Sequence, residues 1–125
     1  MHDMNIEGKG YKVDFDGKGN LAMSGKLAAM PEEYEKIEEF FEKVLEIMAE
    51  SSKDETGSTE LIFDLRDLTF LNSSGIKTIC VSLVMEADDI EDLHMKIFCS
   101  NSLTWQVETL PTFTDLMDNL EIIFE

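Results

Sequence analysis

The segment "TFLNSSGIKTICVSLVM", Thr69–Met85, decides how this chain folds. Its left end closes an apolar, strand-like run, and its right end is apolar nearly all round at helical spacing. Between the two stand Asn72, Ser73, Ser74 and Gly75. Asn and Ser are leading helix N-cap residues, because their side chains accept the first unpaired amides, and Gly allows close packing. A strand that hands over to a helix at a polar joint reads as half of a β-α-β unit, and such units build sheets with helices packed on them. The same joint places two hydroxyls at a helix start. They are open to four readings: caps, a nucleophile, a phosphate acceptor, or the centre of a docking surface.

Working outward, "ELIFDLRDL" (Glu60–Leu68) supplies the strand, with Leu61, Phe63 and Leu65 on one face. The helix runs from Ser73 to about Glu86, turning Ile76, Ile79, Cys80, Leu83 and Val84 to the sheet and Val81 and Met85 to its margin. "HMKIFCS" (His94–Ser100) is the next strand. "NSLTWQVETL" reads as a short helix capped by Asn101, Pro111 interrupts it, and "LEIIFE" closes the chain as a strand.

Towards the N-terminus, "YKVDF" and "LAMSGKL" alternate apolar and polar residues around "DGKGN", which predicts a β-hairpin. Pro31 then opens a helix in which Tyr34, Ile37, Phe41, Val44 and Met48 form a buried stripe, widened by Phe40 and Leu45. Eight glutamates and two lysines fall between Glu32 and Glu50, so the other face is strongly negative. "SSKDETGST" (Ser51–Thr59) reads as a polar loop. The predicted fold is α/β: one domain over residues 1–125, with a mixed sheet of about five strands (an N-terminal hairpin, then βαβ units) carrying its helices.

Composition narrows function. The 27 acids and 10 bases give a formal charge of −17, a field that repels nucleic-acid backbones and anionic membranes. A basic protein surface, or no charged partner at all, fits that field; acidity serving only solubility is the other reading. The polar N-terminus lacks a signal peptide's apolar core, and no run is long enough to span a membrane, so a cytoplasmic location is expected. Cys80 and Cys99 lack metal-ligand spacing and read as two buried, reduced thiols, although a disulfide is compatible with the sequence.

Enzymatic readings fare worse. No G-x-S-x-G element surrounds Ser73 or Ser74, and the only histidines are His2 and His94, neither oriented by its local sequence. "DFDGKGNLAMSG" (Asp14–Gly25) imitates a calcium loop at three positions, but Lys18 falls on a ligand position and Gly25 on the bidentate one. No catalytic, cofactor-binding or metal site is read. Trp105, Phe113 and Phe124 read as core aromatics.

The element order, together with "LRDLTFLNSSGI" (Leu65–Ile76), resembles the STAS domain of bacterial anti-sigma factor antagonists, whose landmark is an apolar strand followed by "D-S-S/T-G" at a helix start. "SGKLA" (Ser24–Ala28) similarly resembles that family's "G-E-L-D" element. The resemblance implies a non-enzymatic partner-switching module in transcription regulation. Its partners would be a serine kinase acting as anti-sigma factor and a phosphatase. The phosphorylated residue would be Ser73, with Ser74 second. The binding surface would comprise Gly25, Lys26, Ala28, Asn72, Ser73, Ser74, Gly75, Ile76 and Lys77. Three positions depart from the pattern: Asn72 and Ala28 replace aspartates, and Lys77 replaces a frequent glycine. The alternative is a constitutive docking or scaffold subunit without phosphorylation control.

Overall fold

The computed structural model describes residues 4–28, 30–54, 59–90 and 93–125, with the side chains of 51–54 left aside. Strands β1 (Met4–Gly8), β2 (Tyr11–Phe15) and β3 (Asn20–Leu27) form an antiparallel meander. Strands β4 (Thr59–Leu71), β5 (Leu93–Cys99) and β6 (Leu120–Phe124) continue in parallel, so the sheet follows chain order throughout. Helix α1 (Pro31–Asp54) makes the first crossover. The second is a continuous helical run: α2 (Ser73–Ile79), a π-helical segment Cys80–Val84 and α3 (Met85–Asp88). The third is α4 (Thr104–Thr109) followed by a 3-10 segment, Leu110–Asp115.

All three parallel steps move the same way along the sheet, and βαβ crossovers are right-handed, so the helices fall on one face. Burial along the strands agrees. Leu61, Phe63, Leu65, Met95, Ile97 and Cys99 are sealed, while Ile62, Asp64, Lys96 and Phe98 on the opposite face are only half-buried.

The α1 stripe fills the covered face as its spacing predicts: Ile37, Phe41, Val44 and Met48 have no exposed surface. Phe41 meets Phe63 edge to face, with centroids 6.4 Å apart at 78°. Each such side chain stabilises the fold by about 1.5–3 kcal/mol through burial. On the open face, Arg66 bridges Asp64 (2.9 Å) and Glu125 (2.7 Å) and lies 5.5 Å from the Phe98 ring centroid. In the β2–β3 turn, Asp16 Oδ1 accepts the amides of Lys18, Gly19 and Asn20 at 2.8–3.0 Å, and Oδ2 takes the Asn20 amide side chain at 2.7 Å. This carboxylate organises a hairpin.

Three sequence expectations are corrected. The sheet has six strands rather than five, because "MNIEG" pairs with β2 over its whole length; Met4 and Ile6 are partly buried against the core. The loop expected at Ser51–Thr59 is shorter, since α1 continues through Asp54 and β4 already begins at Thr59; residues 55–58 lie outside the described residues. Asn101 does not cap α4. Helix α4 begins two residues later than expected, with Leu103 in the cap position and no side-chain bond, while the Asn101 backbone amide donates to the Glu125 carbonyl (3.0 Å). No helix among the described residues is long and apolar enough to cross a membrane.

Candidate functional site

Strand β4 outruns its neighbour. Its pairing with β5 stops at Asp64, while β3 follows it to the Leu27–Leu71 pair. The far end is held from the other side by α4: buried Gln106 donates to the carbonyls of Leu65 (2.6 Å) and Leu68 (3.1 Å) and accepts the Ser100 amide (2.7 Å). Trp105 Nε1 adds a bond to the Leu68 carbonyl at 3.2 Å. The strand therefore delivers its last residues to a fixed place.

Asn72 converts that strand into a helix. It is extended at φ −80°, ψ 173°, and its Oδ1 accepts the Gly75 amide at 2.9 Å as an N-cap should. The same oxygen accepts a hydrogen bond from the Tyr34 hydroxyl on α1. Its own amide donates to the Leu27 carbonyl at 3.2 Å, and its carbonyl receives the Ile76 amide at 3.0 Å. One residue thus joins β3, α1 and α2 at a single point.

Of the residues singled out from the sequence, Ser73, Ser74 and Lys77 are exposed, Ile76 is half-buried, and Gly75 is buried. A Cβ on Gly75 would stand 2.2 Å from Leu71 Cδ1 and 3.1 Å from Tyr34 Oη, so glycine is what lets α2 begin so close to β4 and α1. Lys77 lies one turn beyond Ser73, on the same side of the helix. Lys26 and Ala28 are exposed at the end of β3, beside the joint. Gly25 has φ +90°, and a Cβ there would come within 2.1 Å of the Gly10 carbonyl oxygen. Backbone geometry accounts for that glycine.

Phe70 and Tyr34 contribute to the joint without being expected as site residues. Phe70, counted only as part of the strand's apolar run, is 46% exposed and pairs in register with Lys26. Met30, ahead of α1, is 66% exposed, and its carbonyl accepts the amides of Glu33 and Tyr34 at the start of α1. Tyr34 was read only as part of the core stripe, and helical spacing carries no sign that its hydroxyl reaches Asn72. The joint therefore presents two hydroxyls and two lysines, with Phe70 at the adjoining strand end.

The other chemistry-bearing residues lie elsewhere. His94 pairs with Glu60 at the start of the parallel strands, about eleven residues of β4, roughly 35 Å of extended chain, from the Ser73 end. It cannot serve Ser73 as a base. Cys80 is half-buried, Cys99 is buried, and both are free thiols. Burial, with Asp64 adding to it, pushes the Cys99 thiol up to about 12, and burial raises Cys80. Among the described residues, no group of three His, Cys, Asp or Glu could hold a metal ion. The aromatics expected in the core are there: Phe113 is buried, and Trp105 and Phe124 pack against it.

No family model and no curated protein sequence matches the chain. Solved structures of SiaC share its fold. Apo-SiaC from Pseudomonas aeruginosa superposes with a TM-score of 0.67 at 20% identity, over 100% of this chain and 99% of that one. A second SiaC structure from the same organism gives 0.65 at 20% identity, over 100% and 98%. The complex of the diguanylate cyclase SiaD with its activator SiaC, also from Pseudomonas aeruginosa, gives 0.69 at 18% identity, over 98% and 100%. The mixed α/β sheet expected from the sequence is therefore a known architecture, matched end to end. The partner expectation is corrected. The protein seen in complex with the SiaC fold is a diguanylate cyclase, not the serine kinase acting as anti-sigma factor, with its phosphatase, that the antagonist resemblance implied.

Proposed function

We propose that this chain is a non-enzymatic regulatory protein of STAS-like fold, which docks on a diguanylate cyclase as SiaC does on SiaD. The docking surface is the β4–α2 joint with the neighbouring end of β3: Lys26, Ala28, Phe70, Asn72, Ser73, Ser74, Ile76 and Lys77. One observation carries the proposal. The exposed hydroxyls of Ser73 and Ser74 sit on a joint fixed by Leu27, Tyr34 and Gly75 through Asn72, so the surface is preorganised.

Ser73 is the control point in this reading. A phosphate there would add a charge of about −1.5 to −2 and demand desolvation from anything pressed against it. Lys77, one turn on, and the helix dipole, worth roughly 0.3–1 kcal/mol, would tolerate the anion within the folded chain. The change would fall on docking, not on folding.

The test is affinity capture from native lysate with the full chain as bait, followed by assay of the eluate for cyclic di-GMP formation from GTP. Wild type and Ser73→Ala should retain cyclase activity, and Ser73→Asp should lose most of it. Equal retention by all three would indicate a constitutive docking subunit. An eluate free of cyclase would refute the assignment.

A further inference from the structure

Helix α1 and the second crossover do not close on each other. Between them runs a groove of about 600 Å³, floored by Leu45, Val81 and Ile90. Val81 is 46% exposed, and Met85, one turn along the same run, is 47% exposed. The second crossover is π-helical along this stretch. The Met85 amide reaches the Cys80 carbonyl five residues back, so one extra residue enters the turn. Ile79 before it and Leu83 and Val84 after it all face the core, which leaves Val81 turned outward into the groove.

The charge around this apolar floor is of one sign. Glu35, Glu38, Glu42 and Glu46 line it from α1, and Glu86 and Asp89 face them from the second crossover; among the described residues no lysine or arginine lines it. Lys36 and Lys43 of α1 are not among the residues that line it. A floor of aliphatic side chains between two rows of carboxylates is complementary to a helix with an aliphatic stripe flanked by lysine or arginine. From Glu35 to Ala49 the groove follows fifteen residues of α1, about 21 Å, the length of about four helical turns. Near Ser74 and Lys77 it runs into a smaller depression that shares Glu35, Glu38, Val81 and Ser82 with it, so an occupant would reach the Ser73 joint.

We infer that this groove is the docking site for a basic amphipathic helix of a protein partner. The inference deepens the proposed function and adds to it the partner's contact element. A fluorescein-labelled 14-residue peptide with leucines at i, i+3, i+4 and i+7 and lysines elsewhere is the probe, followed by anisotropy against the full chain at about 150 mM salt. The groove variant Glu42→Lys/Glu46→Lys should bind at least tenfold more weakly, and Val81→Ser severalfold more weakly. The charge-matched variant Glu7→Lys/Glu121→Lys, on other elements, should change binding less than twofold. Equal losses in the two double variants would reduce the effect to overall net charge and overturn the inference. So would indifference to Val81→Ser.

The captured cyclase separates the two proposals. Capture that survives Glu42→Lys/Glu46→Lys but not Ser73→Asp would sink the groove and leave the joint standing. Specific peptide binding with no cyclase captured would do the reverse.

Discussion

The Tyr34 hydroxyl and the Gly75 amide converge on one atom, Asn72 Oδ1. That convergence locks the first turn of α2 to α1 as well as to its own cap. Tyr34→Phe leaves the cap intact and should cost about 1 kcal/mol, whereas Asn72→Ala removes the acceptor of both bonds and should cost about 2 kcal/mol. The double variant should cost less than the sum, since both changes delete the same bond. Asn72→Asp keeps the acceptor and should fold nearly as well as wild type. Urea titrations of the four proteins read these differences directly.

Two glycines test backbone against side-chain crowding. At Gly25 the obstacle to a Cβ is a carbonyl oxygen at 2.1 Å and the backbone φ is +90°, so Gly25→Ala should cost about 3 kcal/mol or more. At Gly75 the nearest obstacle is the Leu71 side chain, which can shift, and Gly75→Ala should cost about 1–3 kcal/mol. Thermal melts that reversed this order would contradict the packing described for the joint.

Gln106, fully buried, anchors the end of β4 through two hydrogen bonds and accepts a third from the Ser100 amide after β5. Gln106→Leu keeps the volume but takes the side-chain partner from the Leu65 carbonyl and the Ser100 amide, while Trp105 still serves the Leu68 carbonyl, a loss of about 2–3 kcal/mol. Amide exchange should quicken at the end of β4 and the start of α2 before it does in β2. Uniform quickening would mean that Gln106 supports the fold as a whole and not this end of it.

Asp16 gives the fold an acid-sensitive element. Burial raises its pKa, but the bonds from Asn20, Lys18 and Gly19 prevail and hold it at about 2, below the ordinary 3.8. A lowered folded pKa contributes stability that is complete above about pH 4 and disappears as pH falls through 2. Discounted for solvent screening, the contribution is about 1 kcal/mol. The stability gap between wild type and Asp16→Ala, from urea titrations at pH 6 and pH 2, should therefore narrow at the lower pH.

The sequence was legible where one physical rule governed a stretch. Periodicity alone located the α1 stripe from Tyr34 to Met48, and every member is buried. The strand-to-helix joint at Asn72 was readable because capping uses few residue types. Long-range bonds were not readable: the Tyr34–Asn72 and Gln106–Leu65 contacts span 38 and 41 residues. The strand β1 was missed because "MNIEG" is a short run dominated by polar neighbours, and its pairing depends on β2. Asn101 was a sound cap by type, yet α4 begins only at Thr104, and Leu103 takes the cap position. The groove was invisible for a similar reason: periodicity put Val81 at the helix margin but cannot say how far α1 stands from the second crossover.

The central claim is that a partner presses on the exposed Ser73 hydroxyl. Its most direct test is titration calorimetry of the captured partner against wild type, Ser73→Ala and Ser73→Asp, with matching melts to verify folding. Ser73→Ala should bind within about twofold of wild type, and Ser73→Asp at least tenfold more weakly, a difference of about 1.4 kcal/mol. Equal affinity for all three folded proteins would place the partner elsewhere and contradict the account.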